Sequence, residues 1–251
     1  MATQKKVTRV EGGSGTAEST RKFVPTAESK SKASKLRIIA VILWCVAIAA
    51  QVWAIVQLFR PPVSTTWVIV AIAIDLAAVI AGSLLWKKSN RFDPASREDG
   101  FRFFLQNQLG AFAAGIAFLP LFIFVLGSKN LDKKQKTVLG SVAGGALVIA
   151  ALFGIDFNPP SVEQYTEEAN RVEWLNNGQD YVYWTKAGTV YHVYSDCPYI
   201  NTDRTTEIFE GTVAQAHEMK KLTRLCSRCE HRAIDEHHLD EAAYESTLQQ
   251  E

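Results

Sequence analysis

His192, Cys197, Cys226 and Cys229 are the residues of this chain whose types and spacing can do chemistry. They read His-x4-Cys, a gap of 28 residues, then Cys-x2-Cys, all within Thr189–Cys229. Three of the four cysteines fall there, and thiolate and imidazole are the ligands a tetrahedral zinc ion prefers. A Cys-x2-Cys turn brings two sulfurs to one ion, and the His and Cys of the first pair can supply two more ligands from a strand end and its loop. The spacing predicts a closed Cys3His structural zinc site. Four protein ligands leave no position for water, and no His-Glu-x-x-His motif is present, so the ion is expected to build the fold rather than catalyse. Two other states of the cysteines stay open: reduced and unliganded, or a Cys226–Cys229 redox pair or disulfide. His231 is the substitute ligand if His192 points away, while His217, His237 and His238 lie on charged helical stretches and read as solvated.

The elements that must position these ligands follow Pro159-Pro160. Ser161 with Gln164 reads as a capping box, and Val162, Tyr165, Ala169 and Val172 form one apolar stripe to about Asn176. Tyr181–Thr185 and Thr189–Tyr194 read as a hairpin around Lys186-Ala187-Gly188, followed by a short strand at Thr206–Phe209. Thr212 with Gln215 opens a helix whose Val213, Ala216, Met219 and Leu222 face one way and lead to the second ligand pair. The remainder to Glu251 reads as one charged amphipathic helix. A module of this size has too little core to hold itself without a staple, which is the physical case for the metal.

Upstream the chain is of another kind. Residues 38–59 carry no charge, long enough for a hydrocarbon core of about 30 Å. Further spans are expected at about 65–86, 108–127 and 138–155. Trp67 and Trp86 flank the second, about 28 Å apart along a helix, as interfacial aromatics would be. The predicted architecture is a four-helix transmembrane bundle over 37–156, then a small soluble α+β zinc-binding domain over 157–251. Residues 1–36, rich in Lys, Ser, Thr, Gly and Ala, are expected to be a disordered basic cytoplasmic tail. Lys and Arg favour an inner N-terminus: the tail with Lys87, Lys88, Arg91, Arg97 and Arg102 outweighs Arg60, Lys129, Lys133, Lys134 and Lys136 on the other side. Four spans return the C-terminus to the cytoplasmic face of the cell membrane.

Within the bundle, Asp75 is the one charge near the centre of a span, where a lone carboxylate is costly and marks a pathway or a partner. The expected partners are Gln51 and Gln57 of the first helix, with Asp75 protonated or hydrogen-bonded. Pro120 is expected to kink the third helix. Gly140, Gly144 and Gly145 place small residues on the fourth helix, and the pair Gly140 and Gly144 offers close approach, within the bundle or in a homo-oligomer.

The pattern Tyr-His, a turn, Cys, a tract leading to a helix, and a final Cys-x2-Cys resembles a small bacterial zinc module. Such modules are appended to nucleases and metallo-β-lactamase-like proteins and are distantly similar to Ada-type metal-binding domains. The resemblance spans Tyr181 to Cys229 and implies His192 and Cys197 as one ligand pair, Cys226 and Cys229 as the other. The family has Gly-Tyr-x-Pro before the last pair, where this chain has Leu222-Thr223-Arg224-Leu225, and Ada-type domains use four cysteines.

The net charge of +1 conceals a tail of +6 over residues 1–37 (nine basic, three acidic) and a domain of −10 over 156–251 (eight basic, eighteen acidic). That −10 repels a polyanion, so nucleic acid is an unfavoured partner. Lys220, Lys221, Arg224, Arg228 and Arg232 are instead expected to pair with Glu218, Glu230, Asp235 and Glu236. The leading functional expectation is a non-catalytic membrane protein that presents a zinc module to a protein partner. Two other classes stay in view: a membrane-tethered DNA-binding or zinc-thiolate methyl-acceptor protein, and a small transporter or channel using Asp75.

Overall fold

The computed structural model describes residues 6–10 and 22–248. They divide into two compact units, one over Pro25–Ser161 and one joining the residues up to Val24 with those from Val162 onward.

The first unit holds four helices long and apolar enough to cross a bilayer: α1 (Ala27–Leu58), α2 (Thr65–Phe92), α3 (Gly100–Gly127) and α4 (Lys133–Gly154). Three of them begin earlier than the apolar runs because polar caps start them. Thr26 accepts from Ser29 N–H at 3.1 Å, and Asp99 from Arg102 N–H at 3.0 Å. Asp132 and Gln135 form a reciprocal capping box. Hydropathy marks the stretch that can sit in lipid; the caps mark where the helix begins.

The seams between these helices combine small residues with a few large ones, among them Phe118, Leu121 and Leu139. Ala33, Ala40, Ala47 and Ala54 of α1 are fully buried and recur every seven residues, the repeat of left-handed helix packing. On α2 the same repeat carries Val68, Asp75, Gly82 and Ser89. Large apolar residues point the other way: Ile38, Ile42, Trp67, Ile116, Ile123 and Val148 are all exposed, an outward surface suited to lipid. α3 and α4 meet backbone to backbone at Gly110 and Gly154, where a Cβ on Gly154 would lie 2.6 Å from the Gly110 carbonyl. The expected close-approach pair is looser, since Cβ atoms on Gly140 and Gly144 would keep 3.4 and 3.3 Å from side chains, and at Gly145 a Cβ would meet nothing within 4 Å.

Polar side chains tie both ends of the bundle. At one end Arg37 meets Asp93 at 2.7 Å, the Trp86 indole donates to the Gln106 carbonyl at 2.7 Å, and Lys87 donates to the Ile155 carbonyl at 2.6 Å. At the other, Asn130 donates to the Leu58 carbonyl at 2.9 Å. Arg37 and Leu58 are about 30 Å apart along α1, so the two polar layers bracket an apolar slab of bilayer thickness.

The second unit is α+β. α5 (Val162–Leu175), α6 (Val213–Lys220), α7 (Ser227–His237) and α8 (Glu241–Leu248) accompany a three-stranded sheet of order β1-β3-β2, with β1 at Lys6–Arg9, β2 at Val182–Trp184 and β3 at Glu207–Gly211. β2 runs antiparallel and β1 parallel to β3. β1 corrects the expectation of a wholly disordered tail: Lys6–Arg9 is a strand, and Phe23 packs edge-on against Tyr165 at 5.0 Å. Residues 27–36 of that tail are likewise ordered, as the first turns of α1, and residues 1–5 and 11–21 lie outside the described residues. The expected terminal helix is two helices, separated where His238 adopts a left-handed conformation (φ 51°).

Candidate metal centre

Backbone stitching brings the four ligands together. The segment expected as the second hairpin strand pairs at single residues on both sides instead of forming a continuous strand. His192 exchanges both backbone hydrogen bonds with Tyr183 (2.8 and 2.6 Å), while Tyr191 N–H donates to the Arg224 carbonyl (3.0 Å) and Cys226 N–H to the Tyr191 carbonyl (2.9 Å). His192 is thereby fixed between β2 and the start of α7. Cys226 is the N-cap residue of α7 and Cys229 lies one turn in, on the same helical face. Cys197 enters from a turn whose carbonyl accepts from Ile200 N–H (3.0 Å) and Asn201 N–H (2.8 Å).

The imidazole and the three sulfurs lie within 4.8 Å of one another, and all four residues are buried. A tetrahedral ion with bonds of about 2.0–2.3 Å keeps its ligand atoms roughly 3.3–3.8 Å apart, so a small contraction suffices. Cys229 Sγ is already 3.5 Å from His192 Nδ1. All three cysteines are free thiols. Burial pulls the His192 imidazole down to about 4, leaving it neutral with a lone pair to offer near pH 7. Burial and the neighbouring Cys197 and Cys226 sulfurs push the Cys229 thiol well up. A thiolate at Cys229 needs a nearby cation, and the four converging donor atoms could hold a metal ion. His231 is exposed and stands outside the cluster.

Asp75 is fully buried, but it does not meet the glutamines expected of it. Among the described residues neither carboxyl oxygen has a hydrogen-bond partner. Gln51 donates its amide to the Ile116 carbonyl of α3 at 3.0 Å. That carbonyl lies four residues before Pro120, which has no N–H to return the helical bond. Gln51 therefore repairs the backbone that Pro120 leaves open, and Gln57 is half-buried with no bond to Asp75.

His217 is also corrected. It is 1% exposed, stacks on Tyr165 at 4.2 Å and contacts a Glu168 oxygen through Nε2 at 2.5 Å. The same carboxylate receives the Tyr191 hydroxyl at 3.4 Å and, on its other oxygen, the Gln164 amide at 2.9 Å. The inward face of α6 is Val213, Ala216 and His217, and Met219 is exposed. The stripe fails because α6 ends at Lys220, with Lys221 left-handed, so Leu222 is buried from outside the helix. No local pattern ties His217 to Glu168; the pairing exists only once α5 packs on α6.

The basic residues near the second ligand pair are largely engaged. Arg232 meets Asp196 and Glu236, each at 2.8 Å, and lies 4.0 Å over the Tyr194 ring. Lys220 donates to the Lys186 and Gly188 carbonyls. Glu230, expected among these partners, pairs with Arg171 of α5 at 2.9 Å. No family model, curated protein or solved structure matches the chain.

Proposed function

We propose that this is a multi-pass membrane protein whose second unit is a zinc-built, non-catalytic interaction module, with both termini on the cytoplasmic face. The observation that carries the reading is the closed ligand set: one imidazole and three sulfurs, all buried and within 4.8 Å. Such a set suits zinc in a structural role, since no ligand position remains for water or substrate. The Lys and Arg distribution supports the inner termini, and the residue pattern's resemblance to the small His/Cys3 modules supports the zinc assignment. The test is metal content and unfolding of the full chain in detergent. One zinc per chain is expected, with loss of the second unit's tertiary signal on chelation. Metal-free protein with an unchanged tertiary signal would defeat the proposal.

One observation favours a second reading. Cys226 and Cys229 open α7, and a helix N-terminus stabilises a thiolate, as in dithiol redox sites. His192 and Cys197 at the same point favour the metal, because a redox pair needs neither.

A further inference from the structure

β3 lies between β2 and the chain's own N-terminal strand. The β1 pairing is detailed: Lys6, Val7, Thr8 and Arg9 register with Glu207, Ile208, Phe209 and Glu210 in parallel. The ladder is extended by Val10, whose N–H donates to the Glu210 carbonyl at 2.8 Å and whose carbonyl accepts the Gln215 amide at 3.3 Å. Side chains add selectivity. Thr8 Oγ1 donates to Glu207 at 2.6 Å, and Arg9 lies 3.9 Å from Glu210 and 5.0 Å over the Tyr181 ring. Thr8 and Val10 turn inward while Val7 and Arg9 stay exposed, the alternation of a strand lying on a surface. Val10 packs against the same buried cluster that contains Cys197, Cys226 and Cys229. A basic tail thus meets an acidic domain, and Gln215, one half of the α6 capping box, reads its last carbonyl.

Without β1, β3 would present a row of unpaired backbone groups, the feature that recruits an extended peptide. We propose that the outer edge of β3 is a peptide-docking edge, held here by the chain's own Lys6–Val10 as a resident ligand. Its partner is an extended basic segment of another protein, with a hydroxyl residue facing Glu207, an arginine facing Glu210 and Tyr181, and a β-branched residue two positions after the hydroxyl. This deepens the interaction-module reading and rests on it, since the edge belongs to the unit the metal would organise.

The experiment uses the chain lacking residues 1–12, purified in detergent, and the synthetic peptide Lys-Lys-Val-Thr-Arg-Val-Glu. The truncated chain should bind the peptide saturably while the intact chain, its edge filled, binds at least about tenfold more weakly. Glu in place of the peptide's arginine should weaken binding about tenfold, because it sets like charges opposite each other. In the intact chain, Val10→Pro removes the donor to Glu210 and should open the edge to the peptide, whereas Val10→Ala should not. Failure of both the truncated and Val10→Pro chains to bind, or equal binding by the intact chain, overturns the docking edge. Zinc is measured on the same samples: metal present without peptide binding sinks this inference alone, and peptide binding without metal sinks the zinc reading alone.

Discussion

The two units reach order by opposite means. In the bundle small residues let the backbones approach, Phe118, Leu121, Leu139 and Val68 fill the space between them, and many other bulky side chains face outward, so close packing and an outward apolar surface do the stabilising. In the second unit the bulky residues face inward, yet the buried cluster is short and three of its members are the cysteines themselves. On the zinc reading, loss of the ion would leave that core with three thiols and an imidazole facing one another. On that reading the bundle is held by its packing and the second unit by a shared ion.

The largest effect that tests this contrast is loss of a ligand. Cys226→Ser is expected to unfold the second unit while the bundle's helical signal persists. Apparent structural zinc affinities of about 10–16 kcal/mol are as large as the whole stability of a small domain, about 5–15 kcal/mol. Limited proteolysis should cut within residues 162–248 and spare the spans. Next comes the bundle's close contact. Gly154→Leu is expected to cost about 3 kcal/mol by forcing α3 from α4. Gly145→Leu, at a site with nothing within 4 Å, should cost little. Denaturation midpoints in detergent check the pair, and equal effects would remove the backbone-contact argument.

A smaller effect lies at Asp180, whose carboxyl burial raises to about 7. A raised folded value means the folded form holds the proton longer. The contribution is therefore complete below about pH 4 and is lost as pH rises through 7. Asp180→Asn keeps an oxygen for the Val213 N–H, 3.2 Å away, and removes the titration. It should be more stable than the parent by about 1–2 kcal/mol at pH 8 and equal at pH 4, read as a difference in chemical denaturation. The smallest change is Asp75→Asn, expected to shift bundle stability by less than about 1 kcal/mol because no hydrogen bond is lost. A large loss of stability would reveal a partner for Asp75 and reopen a polar pathway.

What was legible in the sequence was whatever a short window carries. Apolar length gave the four helices, ligand types and spacing gave the four clustered residues, and the Thr212–Gln215 capping box is present as read. What escaped depends on two distant segments meeting. Glu168 and His217 pair only through the packing of α5 on α6, and Gln51 answers a carbonyl that Pro120 orphans on another helix. β1 was missed because four extended residues in a polar tail have no core of their own and take their order from β3. The seven-residue alanine repeat of α1 was present in the sequence, but hydropathy, which averages over it, does not register it.

The most direct measurement is X-ray absorption at the zinc edge on full-length protein purified without added metal. One zinc per chain is expected, with three sulfurs at about 2.3 Å and one nitrogen at about 2.0–2.1 Å. Protein that contains no metal, or whose Cys226 and Cys229 are joined as a disulfide while the second unit stays folded, would contradict it.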